Sequence, residues 1–520
     1  MYFNKSQLRY LFLFSLSLAG FSLPLSEWLL SVSLILLLIS AFPGADLKQP
    51  LRNKVISSLL YSTTLLFMVR VIWMVNTSNI HDGLVELRLG LPLLVIPFAL
   101  AVNKPVTLSE LKILLASFIS GVLISSIAGV IINYDEVQAG MLDSRELSLF
   151  VSHIRLALMT LLSIHAAIWL MKNSHTRTLK IICFTVASWM VVFLFLLFSI
   201  TGIILLLFTL PLVPGYLFRD LLKRRLMWVT SALTFFIFSI LALLIINEYR
   251  SFYKPSVSFS QPYDSLTASG NPYEFFNDRA DRENGNLVWI YICEKELEKE
   301  WNNRSRLDYD SLDKKGQELK YTLVRYLAST GERRDSAGVA RLTSRDIEAI
   351  ESGIANRLFI SGKYLKAKIY SLIWQIDYYR IGGNPSGHSI TQRMLFYKTG
   401  FEIFKQNILF GTGTGDVRDA FRVQYEKDDS RLKPGFRLLS HNQYLTFLIQ
   451  HGLAGFLIIC IALVYPVLVS GRWRSYLPLA FFIMVFLSML WEDTLETHTG
   501  ITFFAYFYPV FILCESEKEK

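Results

Sequence analysis

The chain has 520 residues, 52% of them hydrophobic, a mean hydropathy of +0.39 and a formal net charge of +10. That is too apolar for a soluble multidomain protein. The basic excess lies largely in short connections between hydrophobic segments, so it points to the flanks of membrane helices and sets nucleic acid aside as a partner.

A hydrocarbon core of about 30 Å needs about 20 apolar residues to cross as a helix. Apolar segments filling 8–246 and 444–514 predict twelve spans: 8–23, 26–42, 55–75, 84–102, 108–132, 147–171, 180–199, 202–218, 226–246, 444–469, 476–491 and 498–514. The first reads as a retained helix, because Phe21-Ser22-Leu23-Pro24 runs into the next span with no small-residue cleavage site. Residues 180–218 read as two spans in a tight hairpin, broken at Thr201-Gly202.

Alternate connections differ sharply in basic residues. One set holds seventeen, Lys48, Arg52, Lys172, Arg472 and Arg474 among them, whereas the short loops of the other hold only Arg145. Positive loops stay in the cytoplasm. The predicted fold class is therefore an all-α polytopic membrane protein. Its parts are a membrane domain of about nine helices at 1–246, a large extracytoplasmic loop at 247–443, three C-terminal membrane helices at 444–514 and a cytoplasmic tail at 515–520.

In the long loop, 250–285 is rich in Ser, Pro, Asn and Asp and reads as irregular. From about 286 the spacing of Leu287, Ile290, Tyr291 and Leu297 predicts helix, with Glu294 to Lys299 as its exposed face. Thr343-Ser344-Arg345-Asp346 predicts a capped helix start, and an amphipathic stretch covers Arg393 to Gln406. The loop is thus expected to be mainly helical. Only Cys293 of the four cysteines falls in it, so neither a disulfide framework nor a zinc-ligand spacing is expected.

Three segments carry chemical information: Gly387 to Arg393; Phe410-Gly411-Thr412-Gly413-Thr414-Gly415-Asp416; and Ser440-His441-Asn442-Gln443-Tyr444. Together they present an Arg opening a helix, a Gly-x-Gly-x-Gly turn and a His-Asn pair where the loop re-enters the membrane. This pattern resembles the O-antigen ligase and O-antigen polymerase superfamily of bacterial envelope glycosyltransferases. The tail Leu490 to His498 is similar to the variant in Bacteroidetes-type members.

The resemblance implies transfer of a glycan from an undecaprenyl-pyrophosphate carrier to an acceptor hydroxyl on the outer side of the inner membrane. The acceptor would be lipid A-core for a ligase, or a lipid-linked repeat unit for a polymerase. Neither cofactor nor metal is implied. One departure stands out: many members carry a Ser-Arg motif in the seventh or eighth span, where this chain has Ser199-Ile200-Thr201-Gly202. A transporter or flippase of lipid-linked glycans is the alternative reading. The arrangement of nine spans, a loop and three spans argues against the two similar halves of rocking transporters.

The reaction develops negative charge on a pyrophosphate leaving group, which guanidinium matches bidentately. Arg393 is the family-matching candidate; otherwise it is a solvated helix residue. His441 would take the acceptor's proton, or else cap the following helix with Asn442. Arg155, inside a span near its outer end, is read as a second pyrophosphate ligand or as a structural partner of Glu86, Glu492 or Glu496. Glu492, Asp493 and Glu496 would orient His441 or an acceptor sugar, or form a solvated acidic turn. Gly413 and Gly415 would offer backbone N–H groups to phosphate. The turn lacks the Lys-Ser/Thr of a nucleotide loop, and Asp308-Tyr309-Asp310 is set aside as a metal site.

Overall fold

A computed structural model describes residues 5–138, 144–218, 220–253, 264–276 and 281–514. The expected tail at 515–520 lies outside the described residues. The described residues are 73% helical with almost no sheet, an all-α polytopic membrane protein. It divides into two compact units: Met1–Phe235 with Leu395–Ser430 and Arg437–Lys520, and Phe236–Met394 with Arg431–Phe436.

The first unit begins with helices α1 (Lys5–Ser22), α2 (Glu27–Ala41), α3 (Lys54–Ile72), α4 (Ile80–Gly90), α5 (Pro92–Ala101), α6 (Leu108–Gln138), α7 (His153–Lys172), α8 (Arg177–Leu196), α9 (Ile200–Thr209), α10 (Leu212–Leu217) and α11 (Asp220–Tyr253), the last continuing into the second unit. The break between α8 and α9 falls earlier than Thr201-Gly202. Phe198 takes a left-handed conformation (φ 50°), and the Ser199 hydroxyl then caps α9 by accepting the Gly202 N–H. Beyond this cap α9 runs for only ten residues and α10 for six, so the expected single span is two short helices.

In the second unit the periodicity from Leu287 to Tyr291 does not start a helix. Asn284 and Gly285, at φ 49° and 87°, turn a two-stranded hairpin in which Arg282–Glu283 pairs antiparallel with Asn286–Leu287. Helices α12 (Glu294–Arg304), α13 (Leu319–Thr330), α14 (Ser344–Glu351) and α15 (Tyr364–Arg380) come next. Leu297, Trp301, Leu323, Tyr326, Leu327 and Ile350 form the centre of this unit's core, all fully buried.

Glu296 corrects the expected exposed face. It is buried and accepts hydrogen bonds from Thr267, Asn271 and Ser336. Burial alone would raise its carboxyl, but those bonds prevail and hold it at about 2. The Thr343 start is a capping box as expected: Thr343 accepts from the Asp346 N–H, and Asp346 accepts from the Thr343 N–H.

Helix α16 (Ser389–Gln406) leads into the first unit, followed by α17 (Val417–Lys427), α18 (Gln443–Ser470), α19 (Tyr476–Ser488) and α20 (His498–Leu513). Among the described residues, eight helices are long and apolar enough to cross a membrane. The shorter apolar helices α9, α19 and α20 have 10, 13 and 16 residues. Helix α20 is enclosed by the rest of the unit: every residue from Thr499 to Leu513 is buried in protein.

The helix ends of the first unit sort by chemistry. One end gathers basic residues: Arg9 pairs with Glu110 at 2.6 Å, Lys112 donates to the Asn173 carbonyl at 2.6 Å, and Arg472 reaches the Ile512 carbonyl at 3.4 Å. The opposite end holds Arg70, Arg155, His441 and the carboxylates of 492–496.

Candidate functional site

Helix α18 is broken inside the bundle. Gly452 sits at φ 62° and ψ −170°, a region open essentially only to glycine, and separates 443–451 from the remainder. The segment from Ile408 to Thr414 fills the gap. Ile408 and Leu409 carbonyls accept from the N–H groups of Leu453 (2.8 Å) and Ala454 (3.1 Å), while Ile449 and Gln450 carbonyls accept from Thr412 (2.8 Å) and Gly413 (3.0 Å). The Phe410 and Gly411 carbonyls accept from Trp73 Nε1 (2.6 Å) and Asn76 Nδ2 (3.1 Å). Non-helical backbone at this depth survives because protein supplies the partners that lipid lacks.

The role expected of Gly413 and Gly415 is corrected by this arrangement. Their N–H groups donate to the Gln450 carbonyl and to Thr77 Oγ1 (3.3 Å), so neither amide is left for phosphate. The glycines are there for closeness: a Cβ on Gly413 would lie 2.4 Å from the Asn76 carbonyl oxygen, and one on Gly415 2.2 Å from that of Asn79. The Asp416 carboxylate then fastens the α3–α4 connection by accepting from the Ser78 and Asn79 N–H groups, at 2.8 and 2.7 Å.

Above the threaded turn lies a buried charge cluster. Arg70, 3% exposed, donates to Glu86 (3.1 Å), Glu496 (3.3 Å) and the Leu495 carbonyl (2.9 Å). Gln443 locks the same loop, with Nε2 donating to Glu496 at 2.6 Å and Oε1 accepting from the Leu495 N–H at 2.6 Å. Glu496 is therefore committed to a structural network, and its guanidinium partner is Arg70 rather than Arg155.

His441 lies just before α18 in a left-handed conformation (φ 49°), a region in which His, Asn and Asp are enriched among non-glycine residues. Ser440 accepts from the Asn442 N–H, and Asn442 caps α18 by accepting from the Leu445 N–H at 3.0 Å while its Nδ2 donates to the Leu490 carbonyl at 2.8 Å. Asn442 thus serves as the cap, and the His441 side chain is left 33% exposed. Its ring packs at 5.6 Å from Phe396, and Nδ1 lies 3.9 Å from Glu492 Oε2, within ion-pair reach but beyond a direct hydrogen bond.

Asp493 is not part of a solvated turn. It is buried and accepts from Thr446 Oγ1 at 2.8 Å. Burial together with Glu496 and Glu492 pushes its carboxyl up to about 6, against the Thr446 bond and His441, which lower it. Arg155 lines a small cavity with Glu492, Asp493, Thr494 and Gly500. Its Nη1 donates to Ser152 Oγ at 2.8 Å, while Nε is buried with no hydrogen-bond partner. The structure thus brings His441, Asn442, Glu492, Glu496 and Arg155 to one end of the first unit. Arg393 stands on α16 in the second unit, one helical turn before Phe396.

Sequence reading missed Gly452 and Gln443. The signal for the first was His451-Gly452 in the middle of an apolar span, a pair with no reason to be there in a simple lipid-facing helix. No curated protein matches the chain. Residues 354–460 match the family model described as O-antigen ligase, a stretch that covers α16, the threaded Gly-x-Gly-x-Gly turn, His441 and the break in α18. That segment supports the resemblance of the chain to the O-antigen ligase superfamily.

Proposed function

We propose that this protein transfers a glycan from an undecaprenyl-pyrophosphate carrier to an acceptor hydroxyl, either of lipid A-core or of a lipid-linked repeat unit. The basic end of the first unit faces the cytoplasm with both termini. The His441 end and residues 247–443 face the outer side of the inner membrane. The observation that carries this reading is the family match over 354–460, together with a partly exposed imidazole held just before α18 beside Glu492.

In the proposed reaction the acceptor oxygen attacks the sugar C1, the C1–O bond to pyrophosphate breaks, and the acceptor proton passes to His441. Glu492 stabilises the imidazolium that forms. Arg393 neutralises the leaving pyrophosphate. The unpartnered Nε of Arg155 is a donor that a phosphate oxygen would satisfy, and Glu492 and Asp493 line the same cavity. Direct displacement inverts the anomeric centre.

The test is purified protein given lipid-linked glycan and acceptor. Release of undecaprenyl pyrophosphate with formation of a new glycosidic bond supports the reading. Movement of the glycan across a vesicle membrane without bond formation refutes it. The envelope of a deletion strain then separates the two acceptors: unextended single units mark a polymerase, carrier-bound long chains a ligase.

A further inference from the structure

The basic end of the first unit contains a cavity of about 800 Å³ that the proposed reaction does not use. Its polar wall comes from Gln49, Asn53, Tyr216, Arg472, Arg474 and Tyr476, and apolar side chains of α6, α10 and α19 complete it. Among the described residues lining it there are two arginines and no Asp or Glu. Neither guanidinium has a carboxylate partner among the described residues. Arg472 makes one long contact, 3.4 Å to the Ile512 carbonyl, and Arg474 lies 5.0 Å from the Trp473 ring.

The wall behind them is fixed. Tyr216 stacks on Tyr476 at 4.3 Å, Lys172 sits 3.9 Å over the Tyr216 ring, and the Tyr476 hydroxyl is 2.8 Å from His165 Nδ1. A third cation therefore stands behind the aromatic wall. The volume is that of a small-molecule site. Two uncommitted guanidiniums over apolar walls suit a group that is anionic at one end and greasy at the other. A soluble phosphate would leave the apolar walls unused.

We propose that this cavity binds an anionic phospholipid of the adjoining leaflet, with Arg472 and Arg474 on the phosphate oxygens and the glycerol and acyl carbons against the apolar wall. Basic pockets between membrane helices recognise such head groups. The site is separate from the glycan chemistry and stands whether or not that reading survives.

The experiment is lipid retention by the full-length protein in detergent, read by native mass spectrometry after exchange with phosphatidylglycerol or phosphatidylcholine. Phosphatidylglycerol should be retained in preference, and millimolar inorganic phosphate should not displace it. Arg472→Gln with Arg474→Gln should weaken retention about thirtyfold, roughly five- to sixfold per arginine. Arg177→Gln with Lys180→Gln, which removes two exposed charges from α8, should change it little.

The proposal is overturned if phosphatidylcholine is held as well, if the α8 pair has the same effect as the arginine pair, or if inorganic phosphate alone displaces the lipid. It also falls if retention appears only in a chain truncated after Cys514, which would make the acidic segment 515–520 the occupant. Monodisperse elution of both double variants keeps the comparison free of misfolding.

Discussion

Replacing Gly452 by alanine should be among the most damaging small substitutions in the protein. Its φ of 62° and ψ of −170° cost an L-residue about 1 to 3 kcal/mol on their own. The added Cβ would also stand 2.4 Å from the carbonyl carbon and oxygen of Leu409, inside any real contact distance. Relief requires the Ile408–Thr414 segment to withdraw, stretching the hydrogen bonds from Leu453 and Ala454, and each buried group left unpaired costs about 1 to 3 kcal/mol. The expected loss is about 3 to 9 kcal/mol. Gly471 is the matched control: φ is 66°, ψ is 8°, and nothing lies within 4 Å of its Cβ position, so Gly471→Ala should cost only about 1 kcal/mol. Unfolding of both variants in mixed detergent–SDS micelles, followed by far-UV circular dichroism, gives the comparison. Equal stability of the two variants would refute the threaded-loop account of the Gly-x-Gly-x-Gly turn.

Arg70→Gln should destabilise by about 3 to 5 kcal/mol, because it strands Glu86 and Glu496 in the bundle, and adding Glu496→Gln should restore part of the loss in the same unfolding assay. Asp493 supplies a pH dependence. Its carboxyl titrates at about 6 in the folded protein against 3.8 as the reference value, so the folded state binds the extra proton and stability falls as pH rises through that window. The wild type should lose up to about 3 kcal/mol relative to Asp493→Asn between pH 4 and pH 7; parallel curves for the two proteins would show that Asp493 is not the group responsible. His441→Asn keeps a residue tolerant of φ 49° while removing the proton acceptor, and His441→Ala removes the side chain altogether. Both should elute as folded protein and fail to transfer glycan, and near-normal turnover in either would remove His441 from the chemistry.

The fold class was legible because it depends on length and hydropathy, properties that twenty-residue windows report directly. Local chemistry was legible where a short motif fully determines a structure, as with Thr343 and Asp346 in their capping box. Other local signals were passed over. Asn284-Gly285 is a strong hairpin turn, yet the spacing from Leu287 to Leu297 suggested helix, and Glu296 was assigned to the exposed face although Thr267, Asn271 and Ser336 come from elsewhere to hold it.

The hardest feature to anticipate was the break in α18. The partners of Ile449, Gln450, Leu453 and Ala454 lie some forty residues earlier in the chain, and no period or propensity encodes such a pairing. The same holds for Gly413 and Gly415, whose composition suggested a phosphate cradle. Their amide partners, Gln450 and Thr77, are visible only in three dimensions. His441 and Asn442 were legible as a pair, but which of them caps the helix is decided by backbone geometry.

The complete enclosure of α20 has a consequence for biogenesis. This helix leaves the ribosome after every helix that surrounds it, so the earlier ones must enter the bilayer with a vacant channel down their middle, its walls lined by Phe118, Phe481 and other aromatic rings waiting for a mate. Until Thr499 to Leu513 slide in, lipid or a chaperone must occupy that channel. A chain interrupted before Thr499 would leave those rings without the partners that α20 supplies.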